Sequence, residues 1–100
     1  MSFSKSSQNI HLVYPLLHAD CLNLKGQYQH SHIDLNNVLT NKDGKLKFKE
    51  DGNFIASAKN IYLTGTYLHA TLKKVNGEWV ESNINLDDGI TNDNGILKMD

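Results

Sequence analysis

Short runs in which apolar and polar residues alternate follow one another along the chain. The clearest are Leu16–Leu22 and Tyr67–Lys73, where every second side chain is apolar. Such alternation is typical of a β-strand with one buried face. No segment keeps the three- and four-residue spacing of apolar side chains that a long amphipathic helix needs. The pattern predicts an all-β protein of short strands.

The sequence repeats itself with a constant offset of 51 residues. Residues 3–49 align with residues 54–100 without a gap, and 17 of the 47 aligned positions are identical. Since an internal repeat builds the same local structure twice, each predicted element should occur in both copies. A copy of about fifty residues would be marginal alone, so we expect both to share one domain over residues 1–100.

Each copy is predicted to contain the same series of elements. In the first copy these are a turn at 4–8, strands near 10–13, 16–22 and 27–31, a strand end with a 3₁₀-like turn at 33–39, and a hairpin at 41–48. The hairpins carry the strongest local signal. Asp43-Gly44 and Asn94-Gly95 are dipeptides that accept the positive φ angles of tight two-residue turns.

Composition and charge narrow the possible partners. The chain has ten lysines, no arginine and a net charge of −1, which argues against nucleic-acid binding. No apolar run is long enough to span a membrane, so we expect no membrane partner. The N-terminus lacks the apolar stretch of a secretion signal, and we expect a cytoplasmic protein, with secretion as the alternative. The single cysteine, Cys21, is predicted to be a small buried side chain.

Asparagine is unusually frequent, with twelve residues that often stand beside Asp or Gly. Two interpretations are open. Asn favours turns, because it tolerates left-handed backbone conformations and bonds its own backbone. Its amide also carries both a donor and an acceptor, as a site for sugar hydroxyls requires. Tyr28 and Trp79 stand at equivalent positions, where we favour core packing over stacking on a sugar ring.

Metal binding and catalysis are two further functions that we compare with purely structural roles of the same residues. His30 and His32 share a strand face, as a metal-binding pair would, but no third ligand stands at a recognisable spacing. We therefore expect surface polar residues and no metal site. Asp87-Asp88 and Asp34 could supply the paired carboxylates of a glycosidase. Adjacent acids on a turn usually point apart, however, and we favour a capping role for one of them. We expect no catalytic residues and no cofactor.

Five motifs stand out along the chain: Ile33-Asp34-Leu35-Asn36, Asn41-x-Asp43-Gly44-x-Leu46-Lys47, Asn53-Phe54-Ile55, Ile84-Asn85-Leu86-Asp87-Asp88 and Asn92-x-x-Gly95-x-Leu97-Lys98. Together they resemble the cyanovirin-N homology family of lectins. The resemblance implies two pseudo-symmetric halves, each a three-stranded sheet plus a β-hairpin, with the hairpins exchanged between the repeats. It places pseudo-domain A at approximately 1–39 with 90–100, and pseudo-domain B at approximately 40–89.

The resemblance also implies a lectin without catalysis or metal, which binds terminal α1→2-linked mannose of high-mannose oligosaccharides or glycoproteins. The favoured site, pocket B, would comprise Asn41, Lys42, Asp43, Asn53, Ser57, Lys73 and Lys74. The weaker site, pocket A, would comprise Lys5, Ser6, Asn23, Asn92, Asp93 and Asn94.

The chain departs from the family pattern at several positions. The family's disulfide positions read Ser7/Cys21 and Ala58/Leu72, which implies the disulfide-free type. Leu22 and Leu24 stand on the rim of pocket A, where polar residues are usual. The hinge at 49–52 leaves two states open, a monomer and a domain-swapped dimer. The alternative function is a protein-interaction module on the same fold that has lost sugar binding.

Overall fold

The computed structural model describes residues 2–100, which fold into ten β-strands and four 3₁₀ turns. The residues divide into two compact units. Unit 1 combines the chain up to Asp34 with Asn85–Asp100, and unit 2 is Leu35–Ile84. Each unit holds one three-stranded sheet and one two-stranded hairpin. The predicted all-β class is confirmed.

The two copies contain the same elements in the same order. The first has β1 (Ser7–Val13), β2 (Leu16–Leu22), β3 (Tyr28–Asp34), β4 (Leu39–Lys42) and β5 (Lys45–Phe48), with 3₁₀ turns at Phe3–Ser6 and Leu35–Asn37. The second has β6 (Ala58–Thr64), β7 (Tyr67–Lys73), β8 (Trp79–Asn85), β9 (Ile90–Asp93) and β10 (Ile96–Met99), with 3₁₀ turns at Phe54–Ser57 and Leu86–Asp88. None of the helical segments among residues 2–100 is long and apolar enough to cross a membrane.

The sheets are antiparallel meanders in the orders β1-β2-β3 and β6-β7-β8. β1 begins three residues earlier than the sequence pattern indicates, because a bulge interrupts its alternation. The register shifts between Gln8 and His11, and Asn9 takes a φ of 54° there. Asn60 has the same φ at the equivalent bulge of β6. Asparagine tolerates this conformation better than most residues.

The central strand of each sheet supplies much of the core. Leu17, Ala19 and Cys21 on β2 are fully buried, which confirms the prediction for the cysteine. Phe3 and Phe54, which open the first 3₁₀ turn of each copy, are also buried. Burial of one such large side chain stabilises the fold by roughly 1.5–3 kcal/mol.

Each hairpin packs on the sheet of the other copy. The backbone N–H of Leu46, on β5, donates to Ser82 Oγ on β8 at 3.1 Å. The equivalent bond runs from Leu97 N–H on β10 to Ser31 Oγ on β3, at 3.0 Å. The exchange of hairpins between repeats is therefore confirmed.

The predicted core packing of Tyr28 and Trp79 is wrong. Their side chains are 51% and 43% exposed, respectively. Each opens the outer strand of its sheet, directly after a turn, on the face away from the core. The Lys59 ammonium lies 4.1 Å from the centroid of the Trp79 ring, a cation–π contact on the surface.

Candidate functional site

In unit 2, the Asn41 side chain ties the hairpin to the sheet and to a 3₁₀ turn. Its Nδ2 donates to Ser57 Oγ at 2.8 Å and to the Lys73 carbonyl at 2.9 Å. Its Oδ1 accepts from the Gly44 N–H at 2.7 Å. Both amide hydrogens are therefore engaged within the protein. We call Asn41, Ser57 and Lys73 the Asn41 cluster.

Asp43 lies at the tip of the same hairpin, with a φ of 46° that suits the tight turn. Its Oδ1 accepts from the Val75 N–H at 3.0 Å, which joins the tip to the turn after β7. Next to it is a groove of about 510 Å³. Residues lining this groove include Asp43, Lys74, Glu81, Ser82 and Asn83.

Lys42 and Asn53, also predicted for pocket B, do not line this groove. Lys42, with Asn41, lines a second groove of about 540 Å³. Asn53 accepts at its Oδ1 from Asn36 Nδ2 at 3.0 Å. Asn36 in turn accepts from the Ile55 N–H at 3.1 Å, so this pair holds the start of the 3₁₀ turn Phe54–Ser57. The structure thus joins Asn41, Ser57 and Lys73 directly. It places Asp43 and Lys74 in the first groove, and Lys42 and Asn53 have other neighbours.

Unit 1 repeats this arrangement. Asn92 Nδ2 donates to Ser6 Oγ at 2.8 Å and to the Leu22 carbonyl at 2.9 Å. Its Oδ1 accepts from the Gly95 N–H at 2.7 Å. Asn94 Oδ1 accepts from the Leu24 N–H at 2.8 Å, as Asp43 does from Val75. Asn92, Ser6 and Leu22 form the Asn92 cluster.

The surroundings of the Asn92 cluster differ from those of its counterpart. Asp93 Oδ2 pairs with Lys98 Nζ at 2.9 Å. Asn23 Oδ1 is occupied by two backbone N–H groups of its own turn, each at 3.0 Å. Lys5 is exposed on the turn Phe3–Ser6. Leu24 is 88% exposed and gives this site an apolar rim, as Val75 does in unit 2. The difference lies one and two residues earlier, where Leu22 and Asn23 replace Lys73 and Lys74.

The sequence did not reveal that the amides of Asn41 and Asn92 act inside the protein. The only available signal was their recurrence at the same position of both copies, which a ligand contact would also produce. The capping role favoured for the acidic pair is confirmed for Asp87. Its carboxylate accepts from the Ser4 N–H at 3.0 Å and from the Ser4 hydroxyl.

These features define a class, an all-β protein that presents one polar cluster at the exchanged hairpin of each duplicated unit. Amides, hydroxyls, a carboxylate and ammonium groups lie at or beside the cluster of unit 2, a set that can pair with several hydroxyls of one ligand. The chain belongs to the CVNH, or cyanovirin-N homology, lectin family, because it matches the CVNH domain over residues 3–98.

Solved structures of this family superpose on nearly the whole chain. The CVNH protein of Gibberella zeae is 38% identical, with a TM-score of 0.87, and the match covers 97% of this chain and 95% of that one. A MoCVNH3 variant in complex with (N-GlcNAc)4 is 29% identical, with a TM-score of 0.89 and coverage of 98% and 96%. Microvirin in complex with mannobiose is 27% identical, with a TM-score of 0.81 and coverage of 99% and 98%.

Proposed function

We propose that this protein is a non-catalytic lectin that binds terminal α1→2-linked mannose of oligosaccharides or glycoproteins through unit 2. The observation that carries the proposal is the Asn41 cluster. It fixes the hairpin tip so that Asp43 and Lys74 share one groove. The mannobiose complex of microvirin supports the choice of ligand class.

The chemistry of this cluster suits vicinal hydroxyl groups. The Asp43 carboxylate can accept from a hydroxyl pair, and Lys73 and Lys74 can donate to ring or hydroxyl oxygens. A hydrogen bond to a charged group contributes roughly 1.5–3 kcal/mol. Because internal bonds already hold the hairpin and the turn in place, binding costs less ordering entropy than it would on a free loop. The proposed binding requires neither a metal nor a cofactor.

We favour unit 2 over unit 1. In unit 1 the Asp93 carboxylate is paired with Lys98, which reduces its capacity to accept from a sugar. Leu22 and Asn23 stand where unit 2 has Lys73 and Lys74, so these positions supply no ammonium group to a sugar. The site of unit 1 should therefore bind a single disaccharide more weakly than the site of unit 2.

A ¹H–¹⁵N NMR titration with α1→2-mannobiose tests the proposal, with an N-acetylglucosamine tetramer as the comparison ligand. We expect saturable shifts at 41–44, 53–57 and 73–77 with mannobiose and smaller ones with the tetramer. Shifts with the tetramer alone would retain a lectin but reject mannose as its ligand. The (N-GlcNAc)4 complex of the MoCVNH3 variant makes that comparison informative.

The second candidate is a protein-interaction module, which one observation favours. Leu24 and Val75 stand at equivalent positions on the two sheet turns and are 88% and 92% exposed. Contact with a partner protein would remove the apolar surface of both side chains from water, which favours association. If millimolar concentrations of both sugars leave the spectrum unchanged, the lectin assignment fails and this candidate replaces it.

A further inference from the structure

The outer face of the unit 1 sheet gathers histidines that are separated in sequence. His18 on β2 pairs directly with His11 on β1 and with His32 on β3. His30, two residues before His32, emerges on the same face. The His18 ring centroid lies 5.2 Å from that of His11, 5.0 Å from that of His30 and 5.5 Å from that of His32. Cross-strand pairing therefore supplies the third imidazole that the spacing along the chain did not show.

Three of these rings turn their nitrogens towards one another. One ligand nitrogen of each of His18, His30 and His32 lies within 4.8 Å of the other two. The closest pair, His18 Nδ1 and His30 Nε2, is 2.9 Å apart. Two imidazole nitrogens on one tetrahedral Zn²⁺ are roughly 3.4 Å apart, from bonds of about 2.0–2.1 Å. Because His30 and His32 are exposed, their side chains can rotate to reach that spacing while the sheet stays fixed.

We propose that His18, His30 and His32 bind one borderline divalent transition-metal ion such as Zn²⁺, with solvent completing the coordination. All three residues belong to unit 1, and the site does not depend on the sugar assignment made for unit 2. Neutral imidazole is a preferred ligand of such ions, and three protein ligands with one open position form a common zinc site.

A carboxylate orients one of the ligands. His30 Nδ1 lies 3.3 Å from Asp20 Oδ1, and Asn9 Nδ2 donates to Asp20 Oδ2 at 2.8 Å. With Nδ1 bonded to Asp20, His30 directs its Nε2 towards His18. A carboxylate that accepts from the second nitrogen of a ligating histidine is the usual outer partner of a metal site, because it fixes the tautomer and raises the basicity of the ligand.

Proton competition at the central ligand is reduced. Partial burial of His18, together with the charge that His30, His11 and His32 carry when protonated, lowers its pKa from the usual value of 6.5. Metal ions bind the neutral ring, so a lowered pKa leaves His18 available near neutral pH. Entry of the ion replaces the hydrogen bond between His18 and His30, and the His18 proton moves to its other ring nitrogen through solvent.

The second copy provides an internal contrast on the same backbone. His18 has its equivalent in His69, but His11 is replaced by Tyr62, His30 by Glu81 and His32 by Asn83. The His69 ring stacks on Tyr62 with a centroid distance of 4.6 Å. Only the first copy therefore brings three imidazoles together, and the second supplies matched control positions.

Calorimetric titration of chelator-stripped protein with ZnCl₂ near neutral pH tests the proposal. We expect one ion per chain. His32→Asn, which introduces the residue found in the second copy, should weaken Zn²⁺ binding at least tenfold, whereas His69→Asn should not change it. Asp20→Asn should weaken binding by roughly 10–100-fold, since it removes the orienting carboxylate. The ¹H–¹⁵N spectrum of each variant reports whether it is folded, and His30→Gln is an independent second ligand variant.

Two results would overturn the proposal. One is the lack of saturable heat at millimolar Zn²⁺ with the wild-type protein. The other is an equal loss of affinity in His69→Asn and His32→Asn, which would assign the binding to scattered surface histidines. Long-range ¹H–¹⁵N spectra of the imidazole rings locate the ligands directly. Zn²⁺ should shift the ring nitrogens of His18, His30 and His32, and an unshifted His18 ring would contradict the site.

Discussion

Two asparagine side chains, Asn41 and Asn92, hold the hairpins that carry the candidate sites. Each amide makes bonds to a serine hydroxyl, to a strand-end carbonyl and to the N–H of a turn glycine. Because three hydrogen bonds within the protein already occupy each amide, we expect these side chains to position the site and not to bind the ligand themselves. We therefore propose that contact with a sugar falls to the charged residues beside it, above all to Asp43 and Lys74.

Replacement of Asn41 by Ala should destabilise the protein by about 1–3 kcal/mol, because the Gly44 N–H and the Lys73 carbonyl lose their partner. Asn92→Ala should have a similar effect, since its bonds match. Urea unfolding measures both, with Asn83→Ala at an exposed position of β8 as the control. If Asn41→Ala is as stable as the control, the amide does not support the fold.

The histidine face should make stability depend on pH. Because the pKa of His18 is lower in the folded protein than its usual 6.5, the unfolded chain binds the proton first as the pH falls. The contribution of His18 to stability is therefore fully present above about pH 6.5. It is lost as the pH falls through the pKa of His18 in the folded protein. The groups that face His18 are His11 on β1, and His30 and His32 on β3.

Urea midpoints measured with a chelator between neutral and mildly acidic pH test this dependence. The wild-type protein should lose stability as the pH falls, and His18→Gln should reduce the loss. His69→Gln, in which the removed ring had Tyr62 as its neighbour, is the matched control. An identical pH profile for the wild type and His18→Gln would show that another group is responsible.

At the scale of elements, two glycines illustrate different constraints on the connections. A Cβ on Gly52 would lie 2.2 Å from the Leu39 carbonyl oxygen, so backbone would have to move. A Cβ on Gly77 would meet nothing within 4 Å, but its φ of +91° strains any other residue. Gly52→Ala should cost about 3 kcal/mol or more, and Gly77→Ala about 1–2 kcal/mol. Thermal and urea unfolding rank the two, and the reverse order would reject the steric argument.

The elements were predictable where local chemistry decides them. Alternation identified β2 and β7, and the dipeptides Asp43-Gly44 and Asn94-Gly95 identified the hairpin turns. The start of β1 was missed because the bulge at Asn9 shifts the alternation by its extra residue. The histidine cluster was missed for a related reason. It depends on the pairing of His18 on β2 with His32 on β3. The spacing of histidines along one strand does not show which residues of the neighbouring strand lie opposite them.

At the scale of the whole molecule, the repeat predicted two equivalent sets of elements but not where the hairpins pack. A hairpin has the same alternation whether it packs on the sheet of its own copy or of the other. The resemblance to the lectin family supplied the exchange, and the bonds Leu46–Ser82 and Leu97–Ser31 confirm it. The resemblance also indicated the hairpin region as the candidate site, and its sugar contacts stay a prediction. The internal bonds of Asn41 depend on how the hairpin packs, which the repeat does not specify.

The duplication also lets the proposed sugar site of unit 2 be tested by an exchange of residues between the copies. Asp43 and Asn94 are equivalent, and each accepts a backbone N–H from the neighbouring turn. Asp43→Asn retains an acceptor for Val75 but removes the charge, so the fold should keep its thermal midpoint. Mannobiose affinity should fall about tenfold, the difference between a charged and a neutral hydrogen bond.

The reciprocal change Asn94→Asp should leave the affinity of unit 2 unchanged. Calorimetry measures both, and undiminished binding by Asp43→Asn would exclude the carboxylate as the sugar contact.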